Sequence, residues 1–457
     1  MKLKVFLAIL LGRAVRLVSR LVRRGGTDMP GRLALKLCPE LLGVLARNVK
    51  TVAITGTNGK TTSARMIEQA FSDLGLSYLA NRSGANLISG ITTEFLMHAT
   101  LGGRVKADYA IIECDEAAAV KVFRQLRPRV VVVTNLFRDQ LDRYGELTHT
   151  LANIRRAVQD VPEATLCLNA DCSLTASLAG EVPNRVAWYG VNEGAVASRG
   201  APALSDASHC IRCRTAYEYR YVTYGHLGGF RCPHCGYSRP EADYAVTAVT
   251  AQRADGSEIV LSLRGRTFAA HVNLPALYNV YNAVGTAAAV CEMGFAPEAA
   301  VGALEKFRCG FGRMETFPLG KAGARMMLVK NPAGCNQVLE FLQEIREPFV
   351  LVACLNDRAA DGKDISWIWD AAFELLGALG NRLTRVIVSG DRAADLHVRI
   401  KYAGVPEERI REERDYDKLV SLLETEEAPI FLMPTYTAML ELRQTVVHRV
   451  GGSEFWE

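Results

Sequence analysis

The chain has 457 residues, more than one ordinary hydrophobic core supports, which predicts two or three domains. Hydrophobic residues make up 49% of the sequence and charged residues 23%, a balance typical of a globular protein that excludes a disordered chain. The net charge of +5 is mild for this length and does not by itself indicate a nucleic-acid partner.

The first predicted element is a basic amphipathic helix. Residues 1–27 contain seven Lys or Arg and no acidic residue. The apolar run at 5–11 is too short to span a bilayer, and no small-residue cleavage site of a signal peptide closes it. The helix could rest on an anionic membrane surface or pack its apolar face on the protein itself. The sequence does not separate these two interpretations.

Strands and helices alternate through most of the remaining chain. Short apolar runs bounded by polar residues indicate buried parallel strands, and this alternation predicts α/β sheets covered by helices on both faces. A second α/β set begins near residue 321. The predicted strands are 52–55, 109–113, 130–134, 258–263, 326–329, 349–354, 386–389 and 430–433, and the predicted helices are 63–74 and 283–293.

A glycine-rich loop lies between the first predicted strand and the helix at 63–74, which is the context that a phosphate-binding loop requires. Backbone N–H groups and the helix N-terminus bind phosphate oxygens there. Lys60 would neutralise the β and γ phosphates, and the Thr61 hydroxyl would coordinate Mg²⁺. The motif predicts an ATP or GTP site formed by Gly56, Thr57, Asn58, Gly59, Lys60, Thr61 and Thr62.

Four of the twelve cysteines form two C-x-x-C pairs, Cys210 with Cys213 and Cys232 with Cys235, in an insert at about 206–240. This spacing predicts a structural zinc ribbon, because four thiolates complete a tetrahedral shell and leave no open position for catalysis. A disulfide pair or redox site is the alternative. The insert is only modestly basic, so we expect no nucleic-acid partner. The other cysteines are scattered singly, several of them in apolar runs, which favours a reducing cytosol.

The loop sequence TGTNGKTT resembles the Mur ligase and folylpolyglutamate synthase superfamily, and further motifs follow in the order of that family. Glu113 follows a predicted strand where the family places a Mg²⁺-binding glutamate. The stretch 134–145 resembles the TN…D-x-L-D…G segment. Asn279 and Asn282 resemble the pair that contacts adenine, although they could also be helix caps. Arg313 lies in a G-R-x-E sequence like the one that closes the family's central domain.

The resemblance implies a fold and a reaction. We expect an N-terminal basic amphipathic segment over 1–48, a Mur-ligase-type central P-loop ATPase domain over 49–318, and a Rossmann-like α/β domain over 319–457. The reaction would use ATP and Mg²⁺ to convert a carboxylate into an acyl phosphate, which an amine then attacks to form an amide. Lys60 and Glu113 would be catalytic.

A narrower resemblance concerns the C-terminal region. Amino-acid-adding Mur ligases carry an Asp-x-Ala-His-x-Pro stretch where this chain has 328–336, which lacks the acidic residue and the histidine. That stretch, the segment 355–370 and the four-cysteine insert resemble the MurT subunits of lipid II isoglutaminyl synthase. This implies amidation of the D-glutamate α-carboxylate in lipid II to D-isoglutamine, with ammonia from a glutaminase subunit, GatD.

In that family one C-terminal aspartate completes the Cys-His glutaminase site of the partner. Asp357 is the best match for this role and Asp361 the second, and an aspartate that orients a histidine is physically sensible. The alternative is that both aspartates only cap a loop.

Two other functions are compatible with parts of the sequence. A folylpolyglutamate-type or stand-alone Mur ligase would add a whole amino acid, but the changed stretch at 328–336 argues against it. A nucleotide-switched zinc-ribbon scaffold would be non-enzymatic, but intact Lys60, Thr61 and Glu113 argue against that. We therefore expect a cytoplasmic amidotransferase subunit whose basic N-terminal arm could contact the inner face of the plasma membrane, where lipid II is an anionic lipid.

Overall fold

A computed structural model describes residues 2–21, 27–82, 84–138, 147–197, 206–253, 256–308 and 313–451. Within these ranges the α-helices are α1 (Lys2–Leu21), α2 (Met29–Leu37), α3 (Leu41–Ala46), α4 (Lys60–Asp73), α5 (Ile88–His98), α6 (Ala119–Leu126), α7 (Leu147–Gln159), α8 (Ser173–Ser177), α9 (Leu277–Glu292), α10 (Pro297–Lys306), α11 (Pro332–Glu344), α12 (Glu374–Ala378), α13 (Ala393–Tyr402), α14 (Tyr416–Glu424) and α15 (Tyr436–Val450).

The strands of the described residues form three sheets. They are β1 (Lys50–Thr55), β2 (Tyr78–Ala80), β3 (Tyr109–Glu113), β4 (Val130–Val133), β5 (Thr165–Asn169), β6 (Val186–Val191), β7 (Glu218–Tyr224), β8 (Leu227–Arg231), β9 (Tyr244–Arg253), β10 (Gly256–Leu263), β11 (Arg266–Val272), β12 (Arg313–Phe317), β13 (Ala324–Met327), β14 (Phe349–Cys354), β15 (Leu383–Ser389), β16 (Ile410–Glu412) and β17 (Ile430–Pro434).

The larger sheet has nine strands in the order β11-β10-β9-β6-β5-β4-β1-β3-β2. The strands from β6 to β2 pair in parallel, and β9, β10 and β11 form an antiparallel meander at the other edge. Strand β1 lies between β3 and β4, and all three are buried apolar runs. This arrangement brings the carboxyl ends of β1, β3 and β4 together at one edge, where α/β sheets bind ligands.

The second sheet has six strands in the order β12-β13-β17-β14-β15-β16, parallel except for the β12–β13 pair. It matches the predicted second α/β set, and the strands predicted at 109–113 and 349–354 have those same bounds in the structure. Strand β12 belongs to this sheet although it begins at residue 313. The predicted division at 318–319 stays a prediction.

The N-terminal segment is packed on the body of the protein. Helix α1 buries Val5, Ala8 and Ile9, and a Cβ added to Gly12 would lie 2.4 Å from Leu96 Cδ1 in α5. Helix α2 is also packed on α5, where the Gly31 N–H donates to Thr93 Oγ1 at 2.8 Å. Within the described residues, no helix is both long enough and apolar enough to cross a membrane.

The four-cysteine insert is a two-stranded hairpin, β7–β8, that is fastened to the large sheet by a buried acid. Asp171, fully buried, accepts hydrogen bonds from Arg239 Nε at 2.6 Å, from the Tyr281 hydroxyl at 2.5 Å and from the Val191 N–H at 2.9 Å. Burial raises the pKa of Asp171, and Arg239 opposes that rise. The Asp171 backbone carbonyl also accepts from Gly228 in the hairpin.

Replacing Asp171 with Asn should destabilise the protein strongly, because Arg239 would keep its charge in a buried position without a counter-ion. Breaking one side of a buried pair costs about 3–5 kcal/mol. The melting temperature, measured by differential scanning calorimetry, should fall by several degrees. The control is Asp160→Asn, which removes an exposed pair with Arg124 and should change the melting temperature little. Equal effects of the two substitutions would contradict the structural role of Asp171.

Candidate functional site

The phosphate loop connects β1 to α4, and its conformation depends on two glycines. Gly56 and Gly59 have φ of +118° and +87°, a region that L side chains rarely adopt. Gly59 also precedes the first residue of α4. A Cβ added there would lie 2.1 Å from Asn282 Oδ1, so α9 closes directly over the loop. The backbone N–H groups at the start of α4 can therefore bind an anion.

Lys60 is buried and paired with Glu116, an acid in the turn that follows β3. Its Nζ donates to Glu116 Oε1 at 2.7 Å, and both side chains are no more than 10% exposed. The same Glu116 oxygen accepts the Gly56 N–H at 3.2 Å. Glu116 thus bonds to two donors of the phosphate loop, a cation and a backbone N–H, that phosphate oxygens also bind.

Thr61 and Glu113 form the predicted metal-binding pair. The Thr61 hydroxyl donates to Glu113 Oε2 at 2.7 Å, so a hydroxyl and a carboxylate converge beside the loop. Oxygen donors of this kind suit Mg²⁺. Asn81 holds Glu113 in place, because its side chain accepts from the Glu113 N–H at 2.9 Å and donates to the Glu113 carbonyl at 2.8 Å. The residues present therefore fit a magnesium ion.

A second loop, which follows β4, supports the phosphate loop from the other side. Asn135 exchanges two hydrogen bonds with the backbone of Asn58, at 3.0 and 3.2 Å. The Phe137 N–H donates to Thr57 Oγ1 at 3.1 Å, and that hydroxyl donates to the Phe137 carbonyl at 3.2 Å. Residues 139–145 of the predicted TN…D-x-L-D…G motif lie outside the described part of the chain.

Two cavities meet at the phosphate loop. The larger one, of about 290 Å³, is lined by Lys60, Thr61, Glu113 and Glu116 on one side and by Lys330 and Asp361 on the other. The smaller one, of about 80 Å³, is lined on one side by Asn279 and Asn282. Asn279 also donates from its side-chain amide to the Pro275 carbonyl at 2.7 Å, which holds the side chain in the cavity wall. Arg313 lies at the start of β12, and the structure does not describe its side chain.

The C-terminal sheet reaches this site through the stretch at 328–336. The Asn331 side chain donates to Asn58 Oδ1 at 3.0 Å, and Asn331 Oδ1 accepts the Gly334 N–H at 2.8 Å to cap α11. Within the C-terminal part, the buried Arg443 of α15 forms a bidentate pair with Glu315 of β12 at 2.8 and 2.9 Å. Residues far apart in the sequence therefore form one cavity wall.

The two candidate aspartates face different surroundings. Asp361 is buried and accepts from the Thr437 N–H at 2.8 Å and from the Thr437 hydroxyl at the start of α15. Burial raises the pKa of Asp361, while the Thr437 bonds lower it. Asp357 has a side chain that is 34% exposed, and its carboxylate lies 3.5 Å from Arg392. Asp361 lines the large cavity, whereas Asp357 is partly exposed beside Arg392.

The four cysteines of the insert converge as predicted. Their sulfur atoms all lie within 4.8 Å of one another, with 3.6 Å between Cys210 and Cys235 and 3.3 Å between Cys213 and Cys232. Disulfide sulfurs lie about 2.05 Å apart, whereas thiolates of a tetrahedral zinc site lie about 3.8 Å apart. The cluster fits zinc better than a disulfide.

The tip of the four-cysteine hairpin forms part of the wall of the smaller cavity. Tyr224 lines the smaller cavity and stacks on Phe137 with 5.7 Å between ring centroids. The neighbouring Thr223 hydroxyl lies 2.7 Å from the Tyr281 hydroxyl, which lies in α9 between Asn279 and Asn282. The end of the hairpin opposite the cysteines therefore contacts both the loop after β4 and helix α9.

The sequence predictions did not include Glu116, Asn135 or Tyr224 among the site residues. Glu116 and Asn135 lie within three residues of the carboxyl ends of β3 and β4, and this position is the sequence signal that could identify them. Tyr224 carried no such signal, because its place in the cavity depends on how the hairpin folds back onto the sheet. The single cysteines of the described residues are all buried, as expected; Cys309 lies outside those residues.

Comparisons with known proteins find family matches in both halves of the chain. Residues 54–221 match the Mur ligase middle domain, and residues 328–439 match the MurT ligase C-terminal family. The MurT subunit of lipid II isoglutaminyl synthase (glutamine-hydrolyzing) from Streptococcus pneumoniae is 33% identical over 450 residues, 98% of each chain. The protein of the same name from Staphylococcus aureus strain COL is 31% identical over 98% of this chain and 99% of its own.

A solved structure extends the comparison to the fold. A pseudomurein peptide ligase type C from Methanothermus fervidus aligns with a TM-score of 0.65 at 19% identity, over 88% of this chain and 79% of that one. Together, the fold and the phosphate site define an ATP- and Mg²⁺-dependent ligase of the Mur ligase type. The chain belongs to the family of MurT subunits of lipid II isoglutaminyl synthase, and as such it is one subunit of a larger enzyme.

A zinc ion held by the four cysteines would stabilise the hairpin that carries Tyr224 into the cavity wall, so its removal should weaken nucleotide binding as well as stability. The purified protein should contain about one zinc ion per chain. Metal content is measured by mass spectrometry, and ADP affinity by titration calorimetry before and after chelation. Cys213→Ser should reproduce the loss and Cys38→Ser should not. Full ADP affinity in the metal-free protein would contradict this coupling.

Replacing Glu116 with Gln should strengthen nucleotide binding. The Glu116 carboxylate competes with phosphate for Lys60, and its negative charge also repels the phosphate. At these separations one charge changes affinity by roughly fivefold to tenfold after screening. Calorimetric titration with ADP and Mg²⁺ measures the change. The matched control is Asp108→Asn, which removes an exposed charge just before β3, at the other end of that strand. Weaker binding by Glu116→Gln would instead mean that Glu116 positions Lys60 for the phosphate.

Proposed function

We propose that this chain amidates the α-carboxylate of D-glutamate in lipid II, with ATP as the activating reagent and ammonia supplied by a glutaminase subunit, GatD. The observation that carries the proposal is the large cavity. It joins the phosphate loop and the Thr61–Glu113 pair to Lys330 and Asp361, which lie in the part of the chain that matches the MurT C-terminal family. The names of the two MurT relatives supply the substrate class.

The first step activates the carboxylate. An oxygen of the substrate carboxylate attacks the γ-phosphorus of ATP, the bond from that phosphorus to the β–γ bridging oxygen breaks, and ADP leaves. Lys60 lies where it can stabilise the negative charge on the transferring group, provided that it exchanges Glu116 for phosphate oxygens. Thr61 and Glu113 would hold Mg²⁺, which screens the phosphate charge when bound.

The second step forms the amide. The nitrogen lone pair of ammonia attacks the acyl carbon, inorganic phosphate leaves with the C–O bonding electrons, and the nitrogen loses a proton. Lys330 lines both cavities and offers a positive charge to the leaving phosphate. The stretch around Lys330 lacks the acidic residue and histidine of amino-acid-adding ligases, and a nucleophile as small as ammonia needs no such pair to hold it.

The surroundings of the two aspartates support a division of roles. Asp357 is partly exposed, so a partner subunit can reach its carboxylate and use it to orient a histidine. Asp361 is bonded to Thr437 and faces the synthetase cavity, where a docked partner would not reach it. We therefore assign the glutaminase-completing role to Asp357. The four cysteines would hold a structural zinc ion.

The test is ATP-dependent amidation of lipid II, followed by mass spectrometry. The wild-type chain should yield the product in which OH is replaced by NH₂, with ammonium chloride alone or with glutamine and GatD. Lys60→Ala should abolish both reactions. Asp357→Asn should keep the ammonium-driven reaction and lose the glutamine-driven one, because only the second needs the partner's histidine to be oriented.

The matched control is Asp364→Asn in the same loop. The Asp364 carboxylate accepts the local Ser366 N–H, so the change should leave both reactions intact. A product that carries an added amino acid would move the chain to the amino-acid-adding ligases. Loss of the ammonium-driven reaction in Asp357→Asn would contradict the assignment of Asp357 to the partner's site.

A further inference from the structure

Helix α1 has two apolar faces, and only one of them is packed on the protein. Val5, Ala8, Ile9 and Gly12 face the body and are buried. At 100° per residue these four lie within one third of the helix circumference. The opposite side of the helix carries a second apolar stripe, 38–71% exposed and formed by Leu3, Phe6, Leu7, Leu10, Leu11, Leu17 and Val18.

The charges that α1 itself carries within the described residues are all of one sign. Residues 1–27 include no acid, and the seven cations of this segment include Lys2 and Lys4 at the start of α1, both exposed. Arg13 lies on the flank between the two faces and donates to the Ala99 carbonyl. An exposed apolar stripe flanked by the exposed lysines of its own helix complements an anionic lipid surface.

We propose that the exposed stripe of α1 docks the protein on an anionic membrane, with the helix lying in the plane of the surface. The leucine and phenylalanine side chains enter the boundary of the acyl chains, and the lysine and arginine side chains contact the headgroup phosphates. Twenty residues give a contact about 30 Å long. The buried face keeps α1 attached to the body, so the whole protein is oriented by this contact.

The orientation has a consequence that rests on the proposed function. The N-terminal segment is fixed to the start of α5, because Asp28 accepts from Ser89 and a Cβ on Gly31 would lie 1.9 Å from the Ser89 carbonyl oxygen. Asn86, three residues before Ser89, lines the large cavity. Docking through α1 therefore holds this edge of the cavity close to the membrane surface, where a lipid-linked substrate presents its peptide.

The experiment is sedimentation of the full chain, in complex with its glutaminase subunit, with vesicles of phosphatidylcholine alone or mixed with phosphatidylglycerol. The wild type should bind the mixed vesicles, and more weakly as salt rises. Leu10→Glu with Leu17→Glu should reduce binding to mixed vesicles on the order of tenfold or more, because both changes put a charge into the exposed stripe. The matched control is Val398→Glu, at a residue 45% exposed on α13, which should bind as the wild type does.

Absence of wild-type binding, or equal binding by the double variant, would overturn the proposal. So would a double variant that loses the partner subunit during purification, since the stripe would then be a protein interface. Amidation of a water-soluble lipid II analogue separates this proposal from the proposed function. The double variant should amidate it at the wild-type rate, and failure of the wild type on this analogue would concern the proposed function alone.

Discussion

The site depends on the need to keep the charge of Lys60 in a buried position at the carboxyl end of β1. A buried ammonium group is stable only with hydrogen-bonding partners of opposite polarity, and here Glu116 and the carbonyl of Gly56 supply them. Because Glu116 also accepts the Gly56 N–H, one carboxylate occupies both the lysine and a loop N–H, which are donors that phosphate oxygens also bind. The binding of phosphate is therefore an exchange of one anion for another within a preformed site.

The phosphate loop is held by parts of the chain that lie far from it in sequence. Asn135 supports it from the end of β4, Asn282 closes over Gly59 from α9, and Asn331 reaches Asn58 from the C-terminal sheet. In each contact a side-chain amide either forms a hydrogen bond with the loop or lies directly against it. A movement of the C-terminal sheet would therefore act directly on Asn58 of the phosphate loop.

The parts that lack a large core of their own are stabilised in different ways. The hairpin combines a small cluster around Phe230 and Tyr237 with four converging thiols and the buried Asp171–Arg239 pair. Helix α1 relies on one apolar face packed on α5 and leaves the other face exposed. Both parts are also connected to the cavities. The hairpin places Tyr224 in a cavity wall, and the N-terminal segment is hydrogen-bonded to α5.

The sequence by itself determined what local patterns encode. Apolar runs specified the strands at 109–113 and 349–354, the glycines with Lys60 specified the phosphate loop, and the paired C-x-x-C spacing specified the cysteine cluster. Only the tertiary structure decided which of Asp357 and Asp361 faces the cavity, which acid pairs with Lys60, and that α1 has both a packed and an exposed apolar face. These properties depend on contacts between residues distant along the chain, and the period or spacing of residues carries no information about which distant surface they will meet.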